Sequence, residues 1–243
     1  MRCDIAAIEI YAEAPELRRR FPELRSARSR GTVISTVCLG PPFLGRLKAD
    51  EIDDATRSIK DAVSLAAEID ASGIVMPLAF PPFSIPTGEL PRFILDALAE
   101  VGQHAKGEGV GIFVEPLNRY EDGRINTLDQ AAMLCDEVGH ESFGVCGDLF
   151  HMNIEEKDIS QALRTASARL QHVHIADSNR RQPGAGHFDF TGALDALQEQ
   201  GFDGWLALEC SIDTPVEHEL RTAVQLLRAA WRSDEHRLES SPG

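Results

Sequence analysis

Four polar residues stand at the ends of four apolar runs. Glu115 follows Gly111-Ile112-Phe113-Val114, and Asp148 follows Phe143-Gly144-Val145-Cys146-Gly147. His174 lies within His172-Val173-His174-Ile175, and Glu209 follows Trp205-Leu206-Ala207-Leu208. Three residues past Asp148 comes His151, in the stretch Leu149-Phe150-His151-Met152-Asn153. Packing gives no reason to end buried strands on acids and imidazoles, which must be paired or solvated. Taken singly, each acid reads as a helix cap or a loop hydrogen-bonder, and His172 as a satisfied core histidine. The conjunction of four carries a different reading. Three carboxylates and one imidazole make a hard, oxygen-rich donor set. It suits one divalent ion, Mn2+, Mg2+ or Co2+, better than it suits the zinc of a thiolate site.

The elements that must position these residues follow from hydrophobic periodicity. Strands are expected at 5–11, 33–38, 74–78, 110–115, 143–148, 171–176 and 204–209. Helices are expected over 17–30, from about 49 onward, over 90–106, from the Thr127 cap to 138, and over 158–169, 191–200 and 216–232. In the second of these, Ile52, Ile59, Val63, Ala66 and Ile69 recur at helical spacing. Gly40-Pro41-Pro42 and Pro81-Pro82 mark loops.

Strands alternating with helices predict a parallel sheet covered by helices. The choice lies between a barrel and a doubly wound open sheet. Ligands at four consecutive strand ends favour the barrel, whose active sites lie at the C-terminal ends of strands. Side-chain alternation then sets Glu115 above Phe113, Asp148 above Cys146, His174 above His172 and Glu209 above Ala207. No GxGxxG or GxxxxGK[ST] follows any strand, so nucleotide-binding folds lose support. The fold class is α/β, a TIM-type (β/α) barrel lacking its first β/α unit, with seven strands. The domain is expected over 1–232, with a disordered tail at 233–243. The first strand would take the second of the usual eight places and leave two unpaired edges. Exposed edges invite association, so either a homo-oligomer or a start codon assigned too late is expected.

The formal net charge of −15 repels nucleic acid and anionic membrane surfaces. The five cysteines form no CxxC pair, which fits free thiols in a reducing compartment. No apolar run approaches the roughly 18 residues of a membrane span, and the N-terminus lacks a signal-peptide core. A cytoplasmic protein is expected.

Three segments carry a family resemblance: Glu115-Pro116-Leu117-Asn118-Arg119-Tyr120-Glu121, the run from Asp148 to Glu156, and His172-Val173-His174-Ile175-Ala176-Asp177-Ser178-Asn179-Arg180. They resemble the xylose-isomerase-like TIM barrels, in the branch of sugar isomerases and epimerases typified by D-tagatose and D-psicose 3-epimerases. The resemblance covers about residues 5–230. It implies that Glu115, Asp148, His174 and Glu209 bind one divalent metal. It also implies that Glu121, His151 and Arg180 hold the hydroxyl and carbonyl oxygens of a sugar. Gly184-Ala185-Gly186-His187-Phe188-Asp189-Phe190 resembles the family's loop after its seventh strand. Two departures stand out: Gly147 occupies a place where the family has a larger apolar residue, and the first strand and helix are missing.

The expected function is a ketose 3-epimerase working through a cis-enediolate. Epimerisation needs a proton to leave one face and return to the other, so Glu115 and Glu209 are expected to act as paired bases. The alternatives are an aldose–ketose or hydroxypyruvate-type isomerase, an inosose-type dehydratase, and a non-catalytic relative. An AP endonuclease on the same fold is opposed by the charge and by the few histidines near the site.

Overall fold

The computed structural model describes residues 5–40, 51–78 and 90–237. Seven apolar runs become seven strands: β1 (Ile8–Ala12), β2 (Ile34–Leu39), β3 (Gly73–Pro77), β4 (Gly111–Glu115), β5 (Phe143–Asp148), β6 (Leu170–Ile175) and β7 (Trp205–Leu208). They pair in sequence order, every neighbour parallel. The helices are α1 (Ala14–Ser29), α2 (Ile52–Glu68), α3 (Arg92–Glu108), α4 (Leu128–Val138), α5 (Leu149–Glu155), α6 (Ile159–Ala166), α7 (Phe190–Glu199) and α8 (Val216–Arg237). Over the described residues this is a TIM-type barrel with seven strands, as the alternation predicted.

Local sequence explains the helices. In α2 the buried Ile52, Thr56, Ile59, Val63 and Ala66 form one face. Each fully buried Ile or Val there contributes about 1.5–3 kcal/mol. Thr127 and Gln130 form a capping box that starts α4, and Gly139, at φ 68°, ends it in the left-handed region that glycine enters freely.

Inside the barrel, Cys38, Val75, Phe113 and Cys146 form an inner apolar cluster. The Phe113 ring lies across β3 and β4. A Cβ on Gly73 would come within 2.4 Å of it, and one on Gly111 within 2.5 Å. Those glycines make room for an aromatic floor. The larger apolar cluster fills the space between the sheet and the helices. A bulge in β6 leaves Gln171 unpaired and exposed. It brings Cys146 opposite His172 and Asp148 opposite His174.

Among the described residues, strands β1 and β7 share no ladder, so the sheet is open between them. The gap holds a cavity of 520 Å³ lined in part by Ile8, Glu9, Leu206, Glu209, Leu220 and Val224. Ile8 and Tyr11 on one edge and Leu206 on the other are exposed.

The structure amends several boundaries. The first strand starts at Ile8 rather than Ile5, and β7 ends at Leu208, leaving Glu209 just beyond it. Before the helix expected at 158, the segment after Asp148 forms an additional short helix, α5, which Asp148 caps. Helix α8 runs on to Arg237, past the expected end at 232. The Pro41-Pro42 and Pro81-Pro82 loops, the helix start near 49 and the tail from 238 lie outside the described residues.

Candidate metal centre

The four strand-end residues meet. Glu115 closes β4 and Asp148 closes β5; His174 stands one residue before the end of β6, and Glu209 follows β7. Their ligand atoms all lie within 4.8 Å of one another. His174 Nδ1 is 2.8 Å from Glu115 Oε1, 2.9 Å from Glu209 Oε2 and 3.8 Å from Asp148 Oδ2. Donors around one ion with bonds of about 2.0–2.3 Å stand roughly 3–3.5 Å apart, so the set fits a divalent cation with little movement. Glu115, Asp148 and His174 are buried, and Glu209 is partly exposed. The site therefore has one wetter edge, on the side of the barrel opening.

The electrostatics are those of crowded buried acids. Burial pushes the Glu115 carboxyl up. His174 pulls it down, but the negative charges of Glu209 and Asp148 help keep it above the usual range. Burial also works against ionised Asp148, yet Arg180, His151 and His174 hold it below its ordinary value. For His174, burial disfavours the imidazolium, and the Cys146 sulfur and Glu115 carboxylate outweigh that and raise it well above its ordinary value. Arg180 supplies the balancing positive charge. Its Nη2 donates to Glu209 Oε2 at 2.6 Å, and its Nη1 donates to Asp148 Oδ2. The guanidinium also sits over the Phe150 ring, 5.1 Å from its centroid.

Arg180 is held in an unusual backbone conformation, at φ 60°. This left-handed geometry costs a non-glycine residue about 1 kcal/mol or more. Two backbone hydrogen bonds fix it: Arg180 N–H to Asp177 O at 2.9 Å, and Ser211 N–H to Arg180 O at 3.0 Å. Asp177 organises the following loop. Its carboxylate accepts from the backbone N–H groups of Ser178, Gly184 and Phe188. Gly186 is required there, since a Cβ would lie 2.3 Å from Asp177 Oδ1. The glycine-rich loop motif thus has a physical reason.

His151, on α5, is buried beside Asp148. Asp148 caps α5 by accepting from the backbone N–H groups of Phe150 and His151 through Oδ1, which leaves Oδ2 turned to the site. The backbone N–H of Asn118 donates to His151 Nδ1 at 3.1 Å. Glu121 is not brought to the four ligands. It lies exposed on the rim and accepts from Asn118 Nδ2 at 2.8 Å, a group also 2.8 Å from His151 Nδ1.

Sequence reasoning missed Asn118, Asp177 and Glu9. The first two sit inside motifs that were read, but their bonds are tertiary. Glu9 had a local signal: one acid between Ile8 and Ile10 in an apolar strand. Its carboxylate reaches beneath the site, with Oε1 2.9 Å from His174 Nε2 and Oε2 3.0 Å from His172 Nε2. Burial pushes this carboxyl up, but the two imidazoles outweigh it and hold it well below the usual range. His172 lies in the core, but it is not the satisfied histidine expected: neither ring nitrogen has an aligned hydrogen-bond partner among the described residues. It is fully buried, stacked on Phe113 and edge-on to His174.

A family model described as Xylose isomerase-like TIM barrel matches residues 4–230. The 3-dehydro-D-guloside 4-epimerase of Escherichia coli (strain K12) is 33% identical over 204 residues, covering 79% of this chain and 78% of its own. The L-ribulose 3-epimerase of Mesorhizobium japonicum is 35% identical over 135 residues, covering 56% of this chain. The match spans 46% of that relative's length. Among solved structures, D-psicose 3-epimerase with D-tagatose from Clostridium cellulolyticum H10 has a TM-score of 0.82 at 25% identity, covering 94% of this chain and 90% of the other. The match along nearly the whole barrel places this chain in the xylose isomerase-like TIM barrel family.

Proposed function

We propose that this chain is a metal-dependent sugar epimerase that inverts a carbon beside a ketone, with a ketose inverted at C3 as the leading substrate class. One observation carries the reading. Glu115 and Glu209 come from strands on either side of those bearing Asp148 and His174, and both carboxylates lie against the same His174 nitrogen. The relatives named above, epimerases acting on sugars, support it.

Glu115, Asp148, His174 and Glu209 would hold the ion, and their oxygen-rich set with one imidazole is compatible with Mn2+, the leading candidate, and with Mg2+ or Co2+. A bound divalent ion supplies a Lewis acid that stabilises an enediolate by several kcal/mol. The side chains move the protons. One glutamate takes the proton from the carbon beside the ketone, and its C–H electrons pass into the enediolate. The other glutamate delivers a proton to the opposite face. Burial raises the Glu115 carboxyl above its ordinary value, the direction that favours taking up a proton. His151 donates to the developing oxyanion, Arg180 binds the neighbouring oxygen, and Glu121 orients the far end of the sugar from the rim.

The relative aligned over the larger share of this chain is a 4-epimerase, which supports a second reading: inversion at C4 of a 3-keto sugar. The chemistry is the same, proton abstraction beside a ketone. Incubation with Mn2+ in D2O separates them. Deuterium at C3 of D-fructose or D-psicose supports the first reading, and deuterium at C4 of a 3-keto-glucoside only supports the second. No exchange in either rejects both.

The rest of the reading concerns setting. We take 1–232 as one catalytic domain. The open edge between β1 and β7 supports association with a second copy, which light scattering would test. The described cysteines are free, and among the described residues no helix is long and apolar enough to cross a membrane. With the acidic charge, this supports action in the cytoplasm on small molecules rather than on nucleic acid.

A further inference from the structure

His174 has a carboxylate close to each ring nitrogen. Nδ1 faces the carboxylate cluster, while Nε2 points down into the barrel toward Glu9 Oε1 at 2.9 Å. Glu9 is 11% exposed and His174 fully buried. The second Glu9 oxygen is held by the Thr36 hydroxyl and faces His172 Nε2 at 3.0 Å. Neither Nε2 atom has any aligned hydrogen-bond partner among the described residues. The Glu9 carboxylate is the charged group facing both of these buried nitrogens. Thr36 and Glu9 come from adjacent strands, joined where the β1–β2 register shifts, so the barrel wall fixes the carboxylate in place.

We propose that Glu9 is a positioning residue for the metal centre: it keeps the His174 proton on Nε2 and so presents Nδ1, unprotonated and correctly turned, to the ion. This rests on the reading of Glu115, Asp148, His174 and Glu209 as one divalent metal site. A ring nitrogen that carries a proton cannot ligate, and a free imidazole can place its proton on either nitrogen. A carboxylate beside Nε2 settles that choice and raises the electron density at Nδ1. Cys146, His172 and His174 also bring ligand atoms within 4.8 Å of one another. A second ion there would compete for the space and charge that Glu9 fills, so a single equivalent of metal is expected.

The test uses the full chain, stripped with a chelator and titrated with Mn2+ by calorimetry and with Co2+ by visible absorption. Wild type, Glu9→Ala, Glu9→Gln and Asp148→Asn are compared, with circular dichroism and melting of each apo protein as the control for folding. Wild type should bind one equivalent. Glu9→Ala should bind about 10–100-fold more weakly, and its Co2+ band should shift. Glu9→Gln, which keeps the volume and one acceptor oxygen but not the charge, should fall between them. If Glu9→Ala does not fold, Glu9→Gln decides alone. Wild-type affinity and spectrum in the Glu9 variants, with Asp148→Asn impaired, overturn the role of Glu9 and leave the metal site standing. Two equivalents in wild type also overturn it. No binding by wild type overturns both readings.

Discussion

Asn118 donates its backbone N–H to His151 Nδ1 at 3.1 Å. The acceptor nitrogen cannot carry a proton, so the imidazole proton sits on Nε2, free to donate to a substrate oxygen. His151→Gln should therefore lower kcat by about 10²–10³-fold, the cost of losing one oxyanion donor. KM should change much less. Steady-state kinetics on the active sugar checks this, and an unchanged kcat would remove His151 from the proposed mechanism.

Glu115→Gln and Glu209→Gln should each stop epimerisation. Each variant keeps one base, so each should still exchange the proton of one epimer with D2O and not the other. NMR of both epimers measures this. Near-normal epimerisation in either variant would refute the two-base scheme. Exchange of both epimers by one variant would indicate a single base and favour an isomerase.

Asp148 divides its oxygens between two tasks, Oδ1 to the cap of α5 and Oδ2 to the site. Asp148→Asn should keep an acceptor at the cap and lose most metal affinity. Asp148→Ala should lose both. Its apo form should be less stable than that of Asp148→Asn by about 0.5–2 kcal/mol, the usual cost of a lost N-cap. Urea denaturation of the two chelated variants gives the difference.

Asp177 contributes a pH dependence to stability. Burial raises its carboxyl, but backbone N–H groups of Phe188, Ser178, Gly186 and Gly184 outweigh that and hold it below its ordinary value. A carboxyl depressed in the folded state contributes stability above its unfolded pKa of about 3.9 and loses it as pH falls through the folded value. Wild type should therefore exceed Asp177→Asn in stability at neutral pH, and the gap should close below about pH 4. Denaturant midpoints across that range test the sign. Gly186→Ala should destabilise by about 1–3 kcal/mol through overpacking against the same carboxylate.

Much of this protein was legible in the chain itself. Apolar runs broken by Gly and Pro gave the strands, and the spacing of Ile52, Ile59, Val63 and Ala66 gave the buried face of α2. Alternation along each strand placed Glu115 above Phe113 and Asp148 above Cys146, because a strand's period of two is a local property. The parallel order followed from strand–helix alternation. The tertiary structure decided what lies opposite what. The Gln171 bulge sets Asp148 beside His174, and no local pattern announces a bulge. Glu9, near one end of the chain, reaches His174 only because the barrel curls β1 round toward β6. Asn118 reaches His151, and Arg180 bridges Asp148 to Glu209, through loops whose paths depend on their packing. Periodicity fixes the face and the end of a strand on which a side chain appears; curvature and register choose its distant partners, because those depend on the backbone of other strands.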